Sequence, residues 1–246
     1  GYNVVGVITM PDKPAGRGLK IQYSEVKQYA LEHQIPILQP VKLKDPEFLD
    51  SLKRYTADVF VVVAFRMLPE EVFMMPPKGT FNIHGSLLPQ YRGAAPIHWA
   101  VINGELKTGV TSFFLNHEID KGNIIDFKEC EIGVKESTGD LYEKLMHLGA
   151  QLAVETVDKI AKGNINLKSQ DQYDGSLLKM APKLNKENTR INWNKPAQEV
   201  YNLIRGLSPY PTAYTYLQNL NGEEILLKCY QAELLDEKST LKPGTI

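Results

Sequence analysis

Short apolar runs alternate with amphipathic stretches through most of the chain. VVGVIT, residues 4–9, predicts a buried strand, and the loop MPDKPAGRGLK follows it. EVKQYALEHQ has a helical period, with PIL a short strand after it. DPEFLDSLKRY predicts a helix with Asp45 as N-cap and Pro46 at its first position. ADVFVVVAF is continuously apolar, as a parallel strand covered on both faces would be. GTFNIHGS predicts the next strand, AAPIHWAVING a helix closed by Gly104, and TGVTSFFL and NIIDFKECEI two further strands. The longest helix is predicted over STGDLYEKLMHLGAQLAVETVDKIAKG, where Ser137 and Asp140 have capping-box spacing and Gly163 ends the run. Strand–helix alternation of this kind predicts an α/β fold with a doubly wound, mostly parallel sheet.

The pattern changes after Gly163. Residues 164–190 are polar and show no sustained apolar period, which suits a linker. A short helix is predicted over KPAQEVYNLIRG, then strands over TAYTYLQ, LNGEE and ILLKCYQAEL. Asn221-Gly222 between apolar runs is a hairpin signal. The expected organisation is a first domain over 1–163, a linker over 164–182 and a β-rich domain over 183–246.

Composition narrows the function classes. The chain has 246 residues and 43% hydrophobic content, enough for a substantial core. Its 28 basic and 29 acidic residues leave a net charge of −1, so any nucleic-acid partner must be held by a local patch and not by a global basic field. Two distant cysteines, Cys130 and Cys229, suit a reducing compartment and make no disulfide framework. With no apolar run of membrane length, the expectation is a cytoplasmic protein. The chain opens without Met, and a targeting segment upstream stays an open question.

The candidate chemistry starts at FNIHGSLLPQYRGAAP, residues 81–96. Side chains alternate along a strand, so Asn82 and His84 share a face opposite Phe81 and Ile83. Gly85 permits a sharp turn, which sets the pair at the carboxyl edge of a strand, where open α/β sheets place ligand sites. Alone, N-x-H reads as a strand terminus bonded to nearby backbone. Asp120, in NHEIDKGNII, reads alone as a turn aspartate before glycine. Together, at the ends of neighbouring strands, the three make a usable set. The amide can donate to a developing oxyanion, the imidazole can assist, and the carboxylate can fix its tautomer or collect a proton. No covalent nucleophile is required.

Other chemistries lack support. Gly16-x-Gly18 follows a strand, but Ile21 occupies the third glycine position of a dinucleotide fingerprint. No lysine follows a Gly-rich phosphate loop, and Ser86 lacks the spacing of a nucleophile elbow. The five histidines, at 33, 84, 98, 117 and 147, have no zinc-ligand spacing, so no metal is expected.

FNIHGSLLPQYRGAAP followed by EIDKGNII resembles the folate-dependent formyltransferases. Three stretches point to the branch of that superfamily that acts on charged initiator tRNA. They are PDKPAGRG, DVFVVVAF with the strand ending FNIHGS, and APKLNKENTRINW. The resemblance implies a Rossmann-like amino domain, a linker and a small OB-like barrel. It implies transfer of a formyl group from 10-formyltetrahydrofolate to the α-amine of methionine on initiator tRNA, by a monomer. Asn82, His84 and Asp120 match the family's catalytic positions. Ser86, Leu87, Leu88 and Pro89 match its folate-binding loop. Arg17 falls at a basic position of its tRNA-contacting loop, with Lys13 and Lys20 nearby for phosphate contacts. The family's first strand and helix have no counterpart here, and the barrel is expected to be incomplete. The alternatives are a formyltransferase or formyl-folate hydrolase with a small acceptor (a sugar-nucleotide amine, a purine precursor or water), and a folate- or RNA-binding module without turnover.

Overall fold

A computed structural model describes residues 1–15, 20–172, 175–219, 221–237 and 240–245. The chain divides into two compact units, Gly1–Phe81 and Asn82–Ile246.

In the first unit, β1 (Val7–Ile8) pairs in parallel with β4 (Ile37–Leu38). Between them lie β2 (Lys13–Ala15), β3 (Lys20–Gln22) and helix α1 (Glu25–Glu32). The stretch expected as a loop thus carries a short antiparallel pair, with Lys13 opposite Gln22 and Ala15 opposite Lys20. Arms of three residues are too short to show a period of two in the sequence. Helix α2 (Pro46–Arg54) starts as expected: the Asp45 carboxylate accepts the Glu47 backbone N–H at 3.0 Å, and Pro46 supplies a preset φ. Phe48 and Leu52, four residues apart, bury one face of α2 with Leu43 and Val72, and Ile8, Leu38 and Phe60 pack around them. Each such side chain contributes about 1.5–3 kcal/mol when fully buried. Strand β5 (Phe60–Val63) differs from the expected two-sided burial, because Val61 and Val63 are exposed. The apolar run shows that a residue can be buried and not which face is covered. A short helix α3 (Glu70–Phe73) leads to β6 (Thr80–His84).

The unit boundary falls inside β6, and β8 (Lys107–Phe114) lies in the second unit. In the second unit, β7 (Arg92–Gly93) and helix α4 (Pro96–Ile102) connect β6 to β8. A helix between adjacent strands is the connection of a parallel sheet. β9 (Ile124–Glu131) then runs antiparallel to β8 at the edge. Helix α5 (Thr138–Lys162) packs on β8 and β9, with Gly149 against Ile83 and Val110, and Thr156 donating to the Ser112 hydroxyl at 2.9 Å.

The rest of the second unit continues from α5 without a change of compact body. β10 (Met180–Ala181) pairs in parallel with β7, and helix α6 (Ala197–Gly206) packs on α4. β11 (Ala213–Gln218) and β12 (Glu224–Cys229) form an antiparallel pair, with Gln218 opposite Glu224 and Gly222 at φ +83° between them. The strands expected separately over LNGEE and ILLKCYQAEL are therefore one hairpin arm and its turn. Among the described residues the pair is open and not closed into a barrel. No helix among them is long and apolar enough to cross a membrane.

The start of α5 gives a pH-dependent test. The Ser137 hydroxyl and backbone N–H both donate to the Asp140 carboxylate, at 2.7 and 2.9 Å, and the hydroxyl accepts the Asp140 N–H at 3.3 Å. The hydroxyl first, then the backbone N–H, holds the Asp140 carboxyl below its ordinary value. A depressed carboxyl contributes stability above its unfolded value near about 4 and loses it as pH falls through the folded one. Ser137→Ala should cost about 1 kcal/mol at pH 7 in denaturant unfolding. The gap from wild type should narrow at pH 3.

Candidate active site

Strand β6 buries Phe81 and Ile83 on one face. On the other it carries half-buried Asn82 and His84, the latter only 6% exposed. No hydrogen bond reaches the Asn82 carboxamide among the described residues, so its donors remain available. The His84 ring is held on three sides. Phe113 meets it edge-on, with centroids 6.4 Å apart. Nε2 lies 2.8 Å from the Tyr91 carbonyl oxygen. A carbonyl only accepts, so Nε2 carries the hydrogen and Nδ1 is the nitrogen left to change its protonation. Nδ1 faces Asp120, 3.9 Å from Oδ2. The Tyr91 carbonyl thus engages the Nε2 side of the ring, and the Asp120 carboxylate stands beside Nδ1.

Asp120 sits between β8 and β9 with φ +54°, a conformation that asparagine and aspartate tolerate better than bulkier residues. Its Oδ2 accepts the Gly93 backbone N–H at 2.9 Å. Gly122 follows because a Cβ there would lie 1.6 Å from the Phe114 carbonyl oxygen.

The loop after His84 is mostly internal structure. Ser86 is fully buried and its hydroxyl donates to the Gln90 carbonyl at 2.6 Å. Thr111 Oγ1 donates to the Ser86 carbonyl and accepts the Leu88 N–H. Leu88 packs with Phe113 and Ile124, Pro89 is buried, and Leu87 is half-buried beside Gly109. Little of these four side chains is free for a ligand.

The sequence alone marks no role for Tyr91, Arg92 or Gly93, yet each grips the site. Tyr91 offers its carbonyl to His84 from a backbone at φ +59°. Its buried hydroxyl donates to Glu105 at 2.5 Å and accepts from Asn103. Burial, then the Glu105 carboxylate, pushes the Tyr91 phenol well above its ordinary value. Burial works to raise the Glu105 carboxyl as well, but hydrogen bonds from Lys179 and Tyr91 hold it below its usual value. Arg92 reaches Gln170, and Gly93 anchors Asp120. The stretch expected as a linker supplies much of this support. Lys179 O accepts the Tyr91 N–H at 2.6 Å, and Ala181 O accepts the Ala94 N–H at 2.8 Å.

Of the basic positions expected to meet tRNA, two are described. Arg17 is outside the described residues, and Lys13 and Lys20 belong to the β2–β3 pair. Among the described residues no cluster of three or more His, Cys, Asp or Glu could hold a metal ion.

Comparison with known proteins agrees with this architecture. The family described as "Formyl transferase" matches residues 1–157, and "Formyl transferase, C-terminal domain" matches residues 183–246. The chain therefore belongs to the formyl transferase family. Methionyl-tRNA formyltransferase of Bacteroides fragilis is 56% identical over 247 residues, covering 100% of this chain and 76% of that protein. The enzyme of the same name from Flavobacterium johnsoniae is 52% identical over 245 residues, covering 100% and 77%. Within the family, this chain falls among the methionyl-tRNA formyltransferases. Among solved structures, a 4-N formyltransferase from Francisella tularensis shares the fold with TM-score 0.64 at 21% identity, covering 85% of this chain and 84% of that one. HypX from Aquifex aeolicus, in complex with tetrahydrofolic acid, does so with TM-score 0.65 at 20% identity, covering 89% and 36%.

Gly93 tests the anchor of Asp120. Its φ is +123°, and a Cβ there would lie 2.5 Å from the Ala181 carbonyl oxygen. Gly93→Ala should destabilise by about 2 kcal/mol or more, since left-handed strain alone costs about 1–3 kcal/mol. Thermal unfolding beside activity checks this, and an unchanged melting temperature would contradict the packing described.

Proposed function

We infer that the enzyme transfers the formyl group of 10-formyltetrahydrofolate to the α-amine of methionine on initiator tRNA, for translation initiation. The observation that carries this reading is the relationship, above half identity and across the whole of this chain, to enzymes named for that reaction.

The site suits direct transfer. The amine attacks the formyl carbon, and the carbonyl oxygen gains negative charge as the C–N bond forms. The Asn82 carboxamide donates to that oxyanion. His84 acts at Nδ1, since Nε2–H is committed to Tyr91. As an imidazolium it donates to the oxyanion, with Asp120 as its counter-ion. Asp120 collects the proton lost by the amine, the carbonyl re-forms as the C–N10 bond breaks, N10 takes up a proton, and tetrahydrofolate leaves.

The loop Ser86–Pro89 faces the folate through its backbone and the accessible part of Leu87, because Ser86, Leu88 and Pro89 are turned inward. Lys13, Arg17 and Lys20 bind tRNA phosphates. The catalytic domain covers 1–163, the linker 164–182 and the OB-like domain 183–246. The enzyme works as a cytoplasmic monomer.

Tetrahydrofolate release by the full-length gene product, with and without methionine-charged initiator tRNA, tests the acceptor. Release should require the charged tRNA, and release without it would move the acceptor to a small molecule or water. Asn82→Ala should lower turnover about a hundredfold or more with the fold intact, and near-normal turnover would remove its oxyanion role. Arg17→Ala should weaken tRNA binding and flatten its salt dependence by about one phosphate's worth of released counterion. Filter binding across a salt series reads this, and unchanged affinity at low and moderate salt would count against the contact.

A further inference from the structure

Gln170 lies in the polar stretch after α5, yet it is 3% exposed. A buried amide is costly unless its hydrogen bonds are made, and here all four are. Nε2 donates to the Asp120 carbonyl at 3.0 Å and to the Gly122 carbonyl at 2.7 Å. Oε1 accepts from Arg92 Nε at 3.0 Å and Arg92 Nη2 at 2.7 Å. The orientation of the amide follows from its partners. Turned over, it would set its NH₂ against guanidinium N–H groups and its oxygen against two carbonyls. Few other side chains could stand in. Glutamate would pair with Arg92 but oppose the carbonyls, asparagine is a methylene short, and leucine has no polar atoms.

The two carbonyls that Gln170 grips flank the turn carrying the Asp120 carboxylate. That residue is in a left-handed conformation, and its Oδ2 bonds Gly93, the residue after Arg92. Arg92 and Gly93 thus hold Asp120 from two directions, one through Gln170 at its backbone and one directly at its carboxylate.

We propose that Gln170 is a positioning residue of formyl transfer, acting through the Asp120 backbone to set the carboxylate against His84 Nδ1. The proposal rests on the assignment of Asp120 and His84 to the chemistry. Gln170 itself touches neither substrate nor reacting atoms.

The test is steady-state kinetics of the full-length enzyme with 10-formyltetrahydrofolate and methionine-charged initiator tRNA. Gln170→Glu and Gln170→Met are each measured in the wild-type and Asp120→Asn backgrounds. Misplacement of a reacting group by about 1 Å costs about a hundredfold, so kcat should fall about ten- to a hundredfold. KM for both substrates should stay within about threefold. Because the residue acts through Asp120, the same changes should cost under about twofold more once Asp120 is asparagine. Gln170→Glu keeps the Arg92 pairing, so a folded variant is available if Gln170→Met unfolds, and melting temperature separates lost fold from lost rate. Wild-type kcat in folded Gln170→Glu would overturn the proposal, as would a rise in KM alone or full multiplication of the losses in the Asp120→Asn background. Wild-type kcat in Asp120→Asn alone would instead overturn the catalytic assignment beneath it, and the proposal with it.

Discussion

The hydrogen bond from His84 Nε2 to the Tyr91 carbonyl is the constraint on which the candidate site depends. It decides which nitrogen of the ring stays a fixed donor and which one faces Asp120. Nothing about it is local to the histidine. Tyr91 must adopt φ +59° to aim its carbonyl, and its ring is buried at a cost met by hydrogen bonds to Glu105 and Asn103. Glu105 in turn is held by Lys179, which lies far along the chain in the stretch after α5. A single imidazole orientation therefore draws on three separate parts of the second unit.

Backbone contact does much of this assembly. Gly93 and Gly122 each bring the main chain so near a carbonyl oxygen that no side chain fits. Positions fixed in this way come from strand and turn geometry and need no rotamer to be frozen. The side chains left with freedom are few. Among the described residues Asn82 keeps its donors, and His84 keeps Nδ1.

The legible and illegible parts of this molecule differ in a physical way. Helix α5 was readable because Ser137, Asp140 and Gly163 mark its ends and its period is long. The β11–β12 hairpin was readable from Asn221-Gly222. The shared face of Asn82 and His84 followed from strand alternation and the glycine after it. Asp120 alone reads as an ordinary turn aspartate before glycine, and it stood out only when grouped with Asn82 and His84 at the ends of neighbouring strands. The carbonyl of Tyr91 was invisible, since a backbone group has no residue code. Gln170 was invisible for the opposite reason. A glutamine in a polar stretch is what a solvated linker contains, and only its burial reveals the task. The pairs β2–β3 and β7–β10 are too short for any period to register, and the exposure of Val61 and Val63 depends on what covers β5.

The pairing of β10 with β7 bears on where this enzyme can be cut. The first family match ends at residue 157, and the helix that closes the catalytic fold ends at Lys162. Yet Gln170, Lys179 and Ala181 all bond directly to the loop or turn that carries the site. A fragment trimmed at the boundary visible in sequence would keep Asn82, His84 and Asp120 and lose the peptide groups that aim them. The smallest self-sufficient piece of this site extends at least to Ala181, so its functional border lies downstream of its evolutionary one.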